Sequence, residues 1–277
     1  MRVRLDIAYD GTDFAGWATQ PNLRTVQQTV EDALSTILRL TRPVRLVVAG
    51  RTDAGVHATG QVAHADLDEI DEKTDLVRLT RKLTSLLNQS PDVVVRAVTR
   101  APEGFDARFS PMARRYEYRI VDNDIDRDPL KRHQSAWINR PLDVTLMNDT
   151  SSSLVGLRDF GAFCKPREGA TTIRELQVFE WNRDDSGALV GRLQADAFCH
   201  SMVRALVGAC VEVGSGKLAL KDLGDVRDAA VRTSAFKIMP AHGLTLTEVI
   251  YPPDDQLGAR AQLTRVKRDA TGNGSDS

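Results

Sequence analysis

The sequence predicts an α+β chain whose strands pair mostly antiparallel. Period-two apolar runs recur along its length, and few of them are joined through long helices in the regular βαβ sense. Composition agrees: with 42% apolar and 27% charged residues over 277 positions, the chain can bury a large core. That length also suffices for two domains or two similar halves.

Val3, Leu5, Ile7 and Tyr9 alternate with Arg2, Arg4, Asp6 and Ala8, so the first element is a half-buried strand. A stretch punctuated by Gly and Pro leads to Thr25-Val26-Gln27-Gln28, which reads as a capping box. Val26, Val30, Ala33, Leu34, Ile37 and Leu38 then recur at helical spacing, predicting a helix of about four turns. Strands are expected at 44–48, 61–66 and 93–98, with a helix between the last two carrying Leu76, Leu79, Leu83, Leu86 and Leu87. In the next strand Tyr116, Tyr118 and Ile120 share one face, opposite Arg115, Glu117 and Arg119.

Residues 141–153 read as a polar connection, followed by strands at 173–181, 189–197 and 244–251. Between the last two lies the most apolar helix, with Met202, Val203, Leu206, Val207, Cys210, Val211 and Val213 on a broad face and Gly214 expected to end it in a left-handed conformation. Beyond Pro252-Pro253 the periodicity fades, and a polar, mobile tail is expected.

Several function classes are excluded at this level. No run approaches the roughly 18 apolar residues of a membrane span, and MRVRLDIAYD lacks a signal-peptide core, so the expected address is the cytoplasm. Cys164, Cys199 and Cys210 are far apart and form no Cys-x-x-Cys pair; neither a disulfide framework nor a zinc site is expected, and the three read as small apolar fillers. With 37 basic against 38 acidic side chains there is no global pull on a polyanion, so any nucleic-acid surface must be local. One local candidate is 108–119, where Arg108, Arg114, Arg115 and Arg119 face a single acid, Glu117, beside Tyr116 and Tyr118. Arginines among aromatic rings suit phosphate contact with base stacking, and equally a solvated strand face.

Asp53 lies between Gly50 and Gly55, two residues after Arg51, in a loop between strand-like segments. Glycines let a ligand approach the main chain, and arginine can hold a carboxylate or a phosphate. The same residues also suit a turn whose aspartate caps its own amides.

Further blocks extend the pattern: Tyr9-Asp10-Gly11-Thr12-Asp13-Phe14-Ala15-Gly16-Trp17, Gln20-Pro21, Thr25-Val26-Gln27 and Gly50-Arg51-Thr52-Asp53-Ala54-Gly55-Val56-His57-Ala58. Later come Phe105-Asp106-Ala107-Arg108-Phe109-Ser110, Arg114-Arg115-Tyr116, Asp159-Phe160 with Phe163, Phe198 with Met202-Val203-Arg204 and Val207-Gly208, and His242-Gly243-Leu244 with Leu246. In order and spacing these blocks, spanning roughly Arg2 to Pro252, resemble the tRNA pseudouridine synthase A family. The resemblance departs at Ala18, Ala65, Asp106 and Met239-Pro240-Ala241, which puts fine substrate preference in question.

The resemblance implies two related α+β halves forming one continuous antiparallel sheet flanked by helices, with the active site in the cleft between them. The expected division is 1–105 with the aspartate loop, 106–253 with an arginine-bearing helix, and 254–277 as tail. It implies isomerisation of uridines 38, 39 and 40 in the anticodon stem-loop of tRNA by a cytoplasmic homodimer that bridges each tRNA, with no cofactor and no metal. Asp53 is the implied nucleophile, on ribose C1′ or uracil C6. Arg204 is its implied ion-pair partner, Tyr116 the ring stacked on the flipped base and a candidate for proton transfer, Arg51 the residue at the entrance and Leu244 the pocket floor. Tyr118 is assigned to sheet packing, and His57 and His64 to structural hydrogen bonds. Two rivals stand beside this: an RNA-binding chaperone without turnover, and a metal-dependent phosphotransfer or hydrolytic enzyme, against which the single acid in 50–57 counts.

Overall fold

The computed structural model describes residues 1–67, 71, 73–122, 127–166 and 171–270, with side chains to 266. The elements begin β1 (Arg2–Tyr9), α1 (Val26–Leu38), β2 (Val47–Val48), β3 (His57–Asp66), α2 (Leu76–Leu87), β4 (Val93–Arg100) and β5 (Ala113–Val121). They continue β6 (Ala136–Trp137), α3 (Val144–Leu154), β7 (Gly156–Asp159), β8 (Ile173–Arg183), β9 (Leu189–Ala195), α4 (Met202–Gly214), α5 (Leu220–Ala229), β10 (Leu244–Ile250) and α6 (Leu257–Ala270). The described residues form two compact units, one drawn from 1–112 with 246–267 and the other from 113–245 with 268–270.

In the first unit the strand order is β4-β1-β3 followed by residues 246–250 of β10, with β2 beside β3. The expected alternation holds in β1: Val3, Leu5, Ile7 and Tyr9 are buried while Arg2, Arg4, Asp6 and Ala8 are half-exposed. Its antiparallel register sets Val3 opposite Ala65 and Leu5 opposite Ala63 on β3. α1 begins at Thr25, whose hydroxyl accepts from Gln28 N–H, as half of a capping box requires. The reciprocal half is missing, because the Gln28 amide donates to Asp32 one turn on. α2 buries Leu79, Leu83 and Leu87 along one stripe.

The second unit is built on β5-β9-β8-β7, with β6 parallel to β5. Of the other pairings with a described register, all are antiparallel. Each unit therefore has the expected α+β character, with antiparallel strands flanked by helices. α4 is the apolar centre, burying Met202, Leu206, Val207, Ala209 and Cys210 almost completely.

Three expectations are corrected here. The polar connection at 141–153 is mostly the helix α3. Its Thr, Ser, Asn and Asp residues compete locally with the backbone and hide the helix, but Met147, Thr150, Ser151 and Leu154 bury one face. Asn148 also exchanges two hydrogen bonds with the Trp181 main chain. Gly214 does not end α4 in a left-handed turn; the positive φ of 70° falls on Gly216. Gly214 instead admits Met147, whose Cγ would lie 2.6 Å from a Cβ at that position. Finally, the mobile tail from 254 onward begins as α6, which buries Leu257 and Ala261. Residues 271–277 of that expected tail lie outside the described residues. No helix among the described residues is long and apolar enough to cross a membrane.

Candidate active site

The Asp53 loop is held from three sides within the first unit. From β1, the Tyr9 phenol meets Thr52 Oγ1 at 2.8 Å, and Gln61 Nε2 of β3 reaches both the Tyr9 oxygen (3.1 Å) and Gly50 O (2.9 Å). From the loop after β1, Trp17 N–H donates to Thr52 O at 3.0 Å and Gly11 N–H to His57 Nδ1 at 3.0 Å. Within the loop itself, Val56 N–H donates to Asp53 O at 3.2 Å. Gly11 is required by close approach, because a Cβ there would sit 2.0 Å from Val56 O. The two motif blocks around Gly11 and Asp53 are thus one packed structure.

On this frame Thr52 is buried, Asp53 half-buried and Arg51 exposed. Burial pushes the Tyr9 phenol up to about 12, against the opposing effect of its bonds to Thr52 and Gln61, so it remains a protonated donor at neutral pH. His57 Nδ1 also lies 3.0 Å from Asp10 Oδ1.

His64 is buried and its Nδ1 accepts the Ala107 N–H at 2.9 Å. Burial, aided by the Arg2 charge, holds its pKa below the ordinary value. Asp106, where the resemblance departs, organises its own turn: Oδ1 accepts from the Arg108 and Phe109 amides at 2.9 and 3.0 Å. Its Oδ2 takes Arg265 of α6 at 2.5 Å, so the helix that the sequence pattern hid supports this turn.

In the second unit Tyr116 and Tyr118 lie on the buried face of β5. Tyr116 is 8% exposed, and the Phe198 ring meets it edge-on with centroids 5.1 Å apart at 85°. Phe198 belongs to the segment leading into α4, whose Ser201 cap has a positive φ of 64°. Arg204, in the first turn of α4, is half-buried, and its Nε donates to Met239 O at 2.6 Å. Leu244, which begins β10, is 5% exposed. The second unit thus carries Tyr116, Arg204 and Leu244, and the first carries Arg51 and Asp53.

The cysteine expectation is overturned for two of three residues. Cys164 and Cys199 form a disulfide, with Cα atoms 5.7 Å apart, well inside the bonding window. The short helical turn Gly161–Phe163 and the segment before α4 meet there, and Lys165 N–H donates to His200 O at 3.0 Å. Their separation of 35 residues gave no local sign of the pairing. Cys210 remains the buried filler expected.

The supporting residues that sequence reasoning left unassigned are Thr52, Gln61 and Met239. Gln61 could be suspected as a polar residue leading into apolar Val62 and Ala63; nothing local marks Thr52, which stands between Arg51 and Asp53, or Met239, which acts through its carbonyl.

Comparison with known proteins adds to this geometry. Residues 151–252 match the model of a family described as tRNA pseudouridine synthase. A protein of Leifsonia xyli subsp. xyli named tRNA pseudouridine synthase A is 58% identical, covering 96% of this chain and 97% of that protein. Proteins of the same name from Frankia casuarinae and Cutibacterium acnes are 51% and 52% identical, covering 97% and 96% of this chain and 96% and 95% of their own lengths. Among solved structures, a Cbf5-Nop10-Gar1 complex gives 11% identity and a TM-score of 0.35, covering 88% of this chain and 58% of that one, a likeness too loose to argue from.

Proposed function

Because this chain belongs to the tRNA pseudouridine synthase A family, we propose that it isomerises uridines 38, 39 and 40 of the tRNA anticodon stem-loop, with Asp53 as nucleophile. At the coarser level it is an isomerase acting on tRNA, as its family is. The observation that supports the finer reading is the support given to Asp53: a half-buried carboxylate whose neighbours on both sides are tied to strands and to the Gly11 loop. Rigid carriage of this kind is what covalent catalysis asks of its nucleophile.

The reaction conserves every atom. The bond from N1 of uracil to C1′ breaks, the base turns, and C5 bonds to C1′; the C5 proton then leaves and N1 carries one. A carboxylate can bond transiently to C1′ or to C6 and depart when the new bond forms. In this reading Arg204 is the ion-pair partner of Asp53, the cation that balances the nucleophile's charge. Tyr116 lies against the base flipped from its stack and takes part in proton transfer, Arg51 occupies the gap or holds a phosphate, and Leu244 floors the pocket. No cofactor is called on. The partners are tRNA and a second copy of the chain, in the cytoplasm, with local arginines supplying phosphate contacts.

The test is to incubate the purified chain with unmodified tRNA and map pseudouridine by position. Product confined to 38–40 is expected, and product at other uridines overturns the site assignment. Asp53→Asn should abolish product with tRNA affinity held within about twofold; turnover at the parental rate removes Asp53 from the mechanism. Sedimentation of the free protein tests the dimer.

A further inference from the structure

Arg204 and Met239 are joined twice. The Arg204 Nε donates to Met239 O at 2.6 Å, and the Met239 N–H donates back to Arg204 O at 3.1 Å. Opposed bonds between the same two residues make the guanidinium and segment 237–240 one unit, so whatever fixes the segment also aims the side chain. One turn along α4, a Cβ on Gly208 would lie 1.9 Å from Lys237 O, so the helix meets the segment backbone to backbone.

The segment has a second anchor. The Tyr118 hydroxyl, from β5, donates to Pro240 O at 2.8 Å. A Cβ on Gly243 would come within 2.6–2.8 Å of the Tyr118 Cζ, Cε1 and hydroxyl, so the chain folds directly onto this ring. Tyr118 is fully buried; burial pushes its phenol well above the ordinary range, and the nearby Arg204 charge opposes that shift. Sheet packing alone would be met by phenylalanine, which has no hydroxyl to desolvate. Here the hydroxyl is spent on the carbonyl next to the one that holds Arg204.

We propose that Tyr118 is a positioning residue for the reaction: through Pro240 it fixes the Met239 carbonyl, and that carbonyl sets the direction in which Arg204 presents its guanidinium. The inference rests on the reading of Arg204 as part of the active site. It replaces the expectation that Tyr118 serves sheet packing only.

The test is a double-mutant cycle on the full chain with unmodified tRNA, reading the single-turnover rate of pseudouridine formation and the tRNA Kd separately. Tyr118→Phe should lower the rate about tenfold with Kd unchanged, as misplacement of a catalytic group does. An unchanged Kd also shows that the variant is folded. In an Arg204→Lys background, whose side chain has no Nε–H to give Met239, Tyr118→Phe should bring no further loss. The same fold-loss in both backgrounds, or a parental rate for Tyr118→Phe alone, overturns the proposal. Arg204→Ala separates the two levels. If that variant turns over at the parental rate, the reading of Arg204 falls and this inference with it. If it is impaired while Tyr118→Phe is not, only this inference falls.

Discussion

Tyr9 and Thr52, 43 residues apart, share a buried hydrogen bond of 2.8 Å that ties the core strand β1 to the residue before Asp53. Gln61 donates to the same phenol oxygen at 3.1 Å, so the hydroxyl is held from two sides. The candidate nucleophile is therefore carried on the first unit's core, through side chains that do no chemistry themselves.

Tyr9→Phe should isolate that support. Loss of the hydroxyl strips a partner from buried Thr52 and Gln61, at about 1–2 kcal/mol. The urea midpoint should fall with an unchanged m value, and the single-turnover rate should drop several-fold as the Asp53 loop loosens. A variant with parental midpoint and rate would show that the bond is dispensable.

Gly11 and Gly50 make a contrasting pair. A Cβ on Gly11 meets Val56 O at 2.0 Å, whereas one on Gly50 meets nothing within 4 Å. Gly11→Ala is expected to cost roughly 2–3 kcal/mol, and Gly50→Ala to fall within about 0.5 kcal/mol of the parent. Thermal or denaturant midpoints of the two variants decide it, and equal costs would refute the close-contact account.

Stability should depend on His64 in mildly acid solution. Its pKa is held below the ordinary 6.5, by burial first and the Arg2 charge second. The unfolded chain binds that proton at higher pH than the folded one does. The contribution is therefore complete above about 6.5 and is lost as pH falls through the window beneath it. His64→Gln should be less stable than the parent at pH 8 and show a flatter decline between about pH 6.5 and 5. Parallel curves for the two proteins would count against this assignment.

Reduction of Cys164–Cys199 should be visible as stability. Closing a loop of 35-residue separation is worth about 3–4 kcal/mol in the chain-entropy description. For a chain of this size the melting midpoint should drop by on the order of 10 °C in reductant. The double variant Cys164→Ser with Cys199→Ser should ignore reductant altogether. Detection of the linked peptide under non-reducing conditions checks the bond directly.

What the sequence determined by itself is what local periodicity and motif spacing can express. The alternation in β1, the apolar stripes of α1, α2 and α4, the paired faces of β5 and the ordered blocks that carry the family resemblance all lie within short windows, where burial imposes a period of 2 or 3.6. Asp53, Tyr116 and Arg204 were legible as candidates for the same reason, each lying within a recognisable block. Only the tertiary structure decided the rest. α3 is helical because Met147 and Leu154 find a buried face and Asn148 finds the Trp181 backbone, against its local propensities. Cys164 found Cys199, Tyr9 found Thr52, and Tyr118 found the Pro240 carbonyl 122 residues away. Contacts of that span leave no period in the sequence, and when the partner is a main-chain carbonyl, as for Tyr118 and Arg204, no residue type records it.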